Sequence, residues 1–113
     1  MRPIPPALRN QLAADPFFAR CARWREGNCD GRITWEHAII YAGRQVNERW
    51  AIIPLCAYHH AVDDHQDGGD LDKDLNVLIA LSRAEPSELE KYPKRDWLFE
   101  YARLRKRYPN YQL

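Results

Sequence analysis

The feature that most constrains this chain is the crowding of its metal-ligating side chains. All three cysteines, Cys21, Cys29 and Cys56, and three of the four histidines, His37, His59 and His60, fall within about 40 of its 113 residues. A chain of this length has room for one domain, and 45% hydrophobic with 12% aromatic content supports a modest core. Small cores gain from a structural metal. Three cysteines cannot pair off completely, and there is neither an apolar signal region at the start nor a run of about 18 apolar residues. The expected setting is therefore reduced and cytoplasmic, with the thiols available as ligands.

Local patterns predict the element order helix, loop, hairpin and then three helices. Ala7 to Phe18 has helical composition, broken at Asp15-Pro16, where Asp15 can cap a second short helix. Arg23 to Gly31 reads as a loop that carries Cys29. From Arg32 to Tyr41 the alternation of Ile33, Trp35, His37 and Ile39 predicts a strand, and Arg49 to Leu55 predicts its antiparallel partner across a longish loop. A helix follows Cys56 and is expected to stop at Gly68-Gly69. Two more helices are predicted over Asp74 to Arg83 and Asp96 to Arg107, the second with Trp97, Leu98, Tyr101 and Leu104 on one stripe. The whole chain is then one domain, with a core at about 21–66, a helical lead-in at 5–20 and C-terminal helices at 72–107.

Two constellations carry chemistry. Cys21, Cys29, Cys56 and His59 offer the thiolate and imidazole donors that zinc takes in a closed tetrahedral site. Cys56 and His59 are three apart at a strand-to-helix junction and so can face one ion. The competing reading is that the thiols are buried free cysteines acting as small hydrophobes; Cys29, among Asn28, Asp30 and Gly31, is poorly placed for that.

The second set is Glu36, His37, His60 and Asp64. Cleaving a phosphodiester needs a base to activate water and a divalent cation on the scissile phosphate. Imidazole supplies the base near neutral pH, and carboxylate with imidazole can supply the cation site. His60 and Asp64 are four apart, hence on one helix face, and His60 is turned about 100° from His59. Glu36 and His37 would point to opposite faces of a regular strand, so both reach one site only if the strand bends or ends there. The alternative leaves Glu36 solvated and His37 half-buried, with no shared task.

Taken together, Glu36-His37 and Leu55-Cys56-Ala57-Tyr58-His59-His60 resemble the zinc-carrying HNH endonucleases over roughly Cys21 to Asp64, with His59 in the place of a zinc-binding cysteine. The seven-residue gap from Cys21 to Cys29 looks like that of small prophage-encoded proteins of this class. The resemblance implies an α+β fold with a ββα-metal, treble-clef-like core, a structural zinc and flanking helices. It further implies a DNA endonuclease in which His37 is the general base and Glu36 and His60, with Asp64 as a further candidate, hold magnesium or manganese. The alternative is a zinc-ribbon DNA-binding or adaptor module that has kept the fold without catalysis. The middle Asn of the motif falls on Ala51, and Asn47 is the candidate to orient the loop in its stead.

The near-neutral charge of +1 does not announce a nucleic-acid binder, so affinity for phosphate must come from placement. Acidic residues crowd positions 63–74 and basic ones the tail from Lys91. Arg44 and Arg49 near the hairpin loop and Arg103 and Lys106 in the tail are the candidate phosphate contacts to DNA. The four tryptophans, Trp24, Trp35, Trp50 and Trp97, are read mainly as core.

Overall fold

A computed structural model describes residues 3–60 and 69–113 of the chain. The architecture is α+β. The lead-in is helix α1 (Pro6–Ala13) followed by a 3₁₀ turn (Pro16–Ala19), with Pro at the first position of both. Asp15 separates them as expected, its carboxylate accepting from the Phe17 N–H at 2.9 Å. The loop to the hairpin contains one further 3₁₀ turn, Trp24–Glu26.

Strands β1 (Thr34–His37) and β4 (Ile52–Leu55) pair antiparallel, with Glu36 opposite Ile53 and His37 opposite Ile52. Both are shorter than the spans predicted for them, because the chain changes partners between them. The Ala38 N–H donates to the Ala51 carbonyl at 2.8 Å, and the next residues form a separate ribbon of β2 (Ile40–Tyr41) and β3 (Arg44–Gln45). Its two-residue loop, Ala42-Gly43, has φ of 52° and 78°, so both residues are left-handed as a tight hairpin turn of primed type requires. The expected longish loop is thus itself a small hairpin.

β4 is buried along its whole length, and this explains why it shows no alternation. Ile52 packs outward on Leu12 and Phe18 of the lead-in, while Ile53 and Leu55 face the main core with Trp50, Leu78 and Leu104. Full burial of each aliphatic side chain contributes roughly 1.5–3 kcal/mol, so the strand pins the lead-in to one side and the C-terminal helices to the other.

A helix, α2, opens at residue 57 and is described through residue 60. Helix α3 (Gly69–Arg83) begins earlier than its apolar pattern suggests, with Gly69 as its first residue; the expected end of the preceding helix at Gly68 lies outside the described residues. A short helix α4 (Pro86–Leu89), set by a capping box between Glu85 and Glu88, was not anticipated. Helix α5 (Trp97–Arg107) is capped by Asp96 and packs on α3 through Trp97 and Leu104. Leu98 does not share that stripe. Turned about 100° from Trp97, it is 81% exposed. Trp50 and Trp97 are core residues as expected, whereas Trp24 is exposed and stacked by Arg20, whose guanidinium carbon lies 3.6 Å from the ring centre. Among the described residues no helix is long and apolar enough to cross a membrane.

Candidate metal centres

The end of β4 builds the first centre. Cys56 ends the strand pairing and stands before α2, where the His59 N–H points at its sulfur from 3.5 Å. One turn on, the His59 ring comes back over Cys56. Cys21 reaches the same point because the Ala22 N–H donates to the Pro54 carbonyl at 2.7 Å, lacing the segment to β4. Cys29 arrives on a loop of left-handed residues, Gly27, Asn28 and Gly31. At Gly31 a Cβ would stand 2.6 Å from the Ala57 Cβ, so only glycine lets the loop lie this close to α2. The Tyr58 N–H then donates to the Asp30 carbonyl at 3.1 Å and holds the loop there.

The result is four donor atoms within 4.8 Å of one another. His59 Nδ1 lies 3.4 Å from Cys21 Sγ, 3.7 Å from Cys29 Sγ and 3.2 Å from Cys56 Sγ. With Zn–S near 2.3 Å and Zn–N near 2.0 Å, a tetrahedral site requires S···N edges of about 3.5 Å, so the cluster fits a four-coordinate ion. All four positions are filled by protein atoms, and Cys21, Cys56 and His59 are buried.

Thiols this close cannot all ionise alone. Burial pushes Cys29 up, and the neighbouring Cys21 and Cys56 push it further, to about 12. Cys21 is raised by burial and by Cys56. Burial also acts upward on Cys56, but the backbone N–H groups of His59 and Asp30 and the His59 ring outweigh it and bring this thiol down to about 6. A dication would relieve the repulsion. Beside the cluster, buried Arg23 grips Glu26 through two bonds of 2.7 and 2.8 Å, and the Tyr111 hydroxyl donates to the same carboxylate at 2.8 Å. Burial works against the Glu26 charge, yet Arg23 and Tyr111 hold its carboxyl below the usual range.

The second centre lies one residue further along α2. His60 Nε2 is 3.0 Å from Glu36 Oε1. Two ligands at adjacent corners of an octahedral site with bonds near 2.1 Å stand about 3.0 Å apart, so the spacing fits a shared hard cation as well as a direct hydrogen bond. His37 lines the same cavity of about 420 Å³ as Glu36 and His60. His37 is the last residue of β1 and pairs with Ile52, while Glu36 pairs with Ile53; neighbouring strand residues start on opposite faces, yet both line this cavity.

The His37 ring has a defined orientation. Its Nε2 is 2.7 Å from Asn47 Oδ1, and Asn47 Nδ2 donates to the Pro3 carbonyl at 3.0 Å. A carbonyl only accepts, so it fixes which end of the amide faces His37. The acceptor Oδ1 then requires a proton on Nε2 of His37, leaving Nδ1 as the lone-pair atom of the neutral ring. Asn47 was read from the sequence as the loop-orienting residue; the Pro3 carbonyl that orients it in turn carries no sequence signal. Ala51 is fully buried, and its carbonyl ties Ala38 to the turn.

The predicted phosphate contacts divide. Arg49 is a structural residue: it pairs with Glu88 at 2.6 Å and bonds the Arg83 carbonyl at 3.2 Å, because α4 brings Glu88 across the hairpin end. Arg44, Arg103 and Lys106 are exposed and none lines the cavity of His37. Lys73 and Arg95 do line it, although neither was picked out from the sequence. Arg95 is also clamped by Glu100 and stacked 4.4 Å from the Trp97 ring centre. Asp64 lies outside the described residues. No family model matches the chain, and no curated protein or solved structure matches it either.

Proposed function

We propose that the protein is a zinc-stabilised, metal-dependent DNA endonuclease of the HNH type, with the hairpin and α2 as its ββα-metal core. The observation that carries this reading is the convergence of Glu36, His60 and His37 in one cavity with the His37 tautomer set by Asn47. A base that must accept a proton needs a free lone pair, and the Asn47 contact leaves the lone pair of the neutral ring on Nδ1. Cys21, Cys29, Cys56 and His59 would hold the structural zinc. Glu36 and His60 would hold a catalytic magnesium or manganese ion, which when bound neutralises the scissile phosphate and stabilises the departing oxygen.

His37 Nδ1 takes the proton of the attacking water as it adds to phosphorus, and the resulting imidazolium is stabilised through Nε2–H by Asn47 Oδ1. Lys73 adds positive charge to the cavity wall and offsets the negative charge that builds on the phosphoryl oxygens.

Plasmid nicking with added magnesium or manganese tests the reading. His37→Ala should lower the rate by about 10²–10⁴ while its thermal melt stays close to wild type. Absence of nicking by wild type with every divalent ion tried would favour the second reading, a DNA-binding or adaptor module without catalysis. That module is supported by the direct Glu36–His60 contact of 3.0 Å, in which each side chain already has a protein partner.

A further inference from the structure

His37 lines a second cavity. This one, also about 420 Å³, shares only His37 with the first and is walled by Pro3, Ile4, Arg9, Arg32 and the start of β1. Among the described residues lining it there is no carboxylate. The two arginines in it thus differ from those that are tied to a carboxylate.

Arg23, Arg49, Arg83, Arg95 and Arg107 each hold a carboxylate. Arg9 and Arg32 are exposed and make no ion pair among the described residues, and Arg9 is oriented by the Trp35 face, 5.4 Å from its guanidinium. Arg20, Arg25, Arg44 and Arg103 are also exposed, but none lines a cavity with His37. Arg32 follows Gly31 directly, so the close packing of that glycine on α2 fixes where Arg32 leaves the loop.

We propose that Arg9 and Arg32 form a phosphate-binding subsite that holds the DNA backbone beside the scissile bond, with His37 between it and Lys73. This rests on the nuclease reading for the kind of polyanion bound. A backbone lying over His37 places one phosphate at Glu36, His60 and Lys73 and an adjacent stretch against the guanidiniums, which match phosphate oxygens in pairs. Contacts of this type position the strand and carry no base information. The lead-in helix thus becomes part of the substrate surface.

The test is anisotropy of the full chain with a short labelled DNA duplex, without added magnesium or manganese, across a salt titration. The double variant R9Q/R32Q should bind about 10–100-fold more weakly and lose about two from the slope of log affinity against log salt, one for each phosphate contact. R103Q/K106Q, with the same charge change, should lose less than one. If the double variant melts early, R32Q alone should lose about one from the slope.

An unchanged slope in R9Q/R32Q, or equal losses in both doubles, overturns the subsite. Nicking assays separate this from the nuclease reading. Wild type that nicks, alongside R9Q/R32Q with unchanged KM, overturns the subsite alone; arginine-dependent DNA binding without nicking sinks the nuclease and keeps the subsite. Tighter binding of single-stranded RNA than of the duplex, with the same arginine dependence, overturns DNA as the ligand.

Discussion

The two clusters part at the peptide bond between His59 and His60, yet they are built on opposite plans. Around His59 four donors close on one point, three of them buried, and every ligand position is taken. At His60 two facing donors stand on the wall of a cavity, with side-chain exposures of 39% for His60 and 24% for Glu36. A closed soft-donor set holds an ion permanently and lends its binding energy to the fold, whereas an open set leaves coordination positions for water and substrate. Adjacent histidines can serve both because one step around a helix turns the side chain by about 100°.

The largest effect should come from breaking the closed centre. Structural zinc is worth about 10–16 kcal/mol in small metal-folded domains, comparable with the entire stability of a typical domain, about 5–15 kcal/mol. Cys56→Ser should therefore abolish the cooperative melt and release zinc, while Glu36→Ala should melt within a few degrees of wild type. A Cys56→Ser protein that keeps its melting temperature and its metal would erase the contrast.

Proton linkage sharpens the same contrast. At pH 7 Cys56, with its thiol near 6, is already mostly thiolate, whereas Cys21 and Cys29 are raised, Cys29 to about 12, and remain protonated. Zinc uptake should then release about two protons, and affinity should rise roughly 100-fold per pH unit. Below pH 6 Cys56 is protonated as well and the dependence should steepen. Calorimetry in buffers of different ionisation enthalpy reads the proton count; release of no proton at pH 7 would mean that the thiols are not the ligands.

Much of this was legible in the sequence, and what was not has a common cause. The donor quartet could be read from residue type alone, because Cys29 stands in a polar loop where burial does not explain it. The Asp15 cap was legible for the same reason, since it is a local signal. The lengths of β1 and β4 were not, because they are set by a change of hydrogen-bonding partner at Ala38 that involves Ala51 thirteen residues away. Arg49 looked free because its partner Glu88 is distant in the chain. Arg9 and Arg32 lacked any motif and acquire a shared cavity only after the lead-in packs on Ile52.

The smallest expected effect concerns the orienting amide, and it separates family pattern from local geometry. By resemblance an Asn belongs where Ala51 stands, so restoring it would be expected to improve the open centre. The surroundings argue the reverse. Ala51 is fully buried, its N–H donates to the Glu48 carbonyl at 3.0 Å, and its carbonyl already accepts from Ala38. Ala51→Asn would force a larger polar side chain into packed space and should cost about 1–3 kcal/mol, read by urea unfolding, with no gain in nicking rate. Asn47→Ala should leave stability nearly unchanged, being half-exposed, but free the His37 ring to adopt the wrong tautomer and lower kcat about tenfold or more with KM unaltered. Asn47→Asp keeps an acceptor facing Nε2 and should recover part of that loss. If Ala51→Asn instead raised the rate and Asn47→Ala left kcat at the wild-type value, the orienting role would belong to position 51 and the Asn47 contact would be incidental.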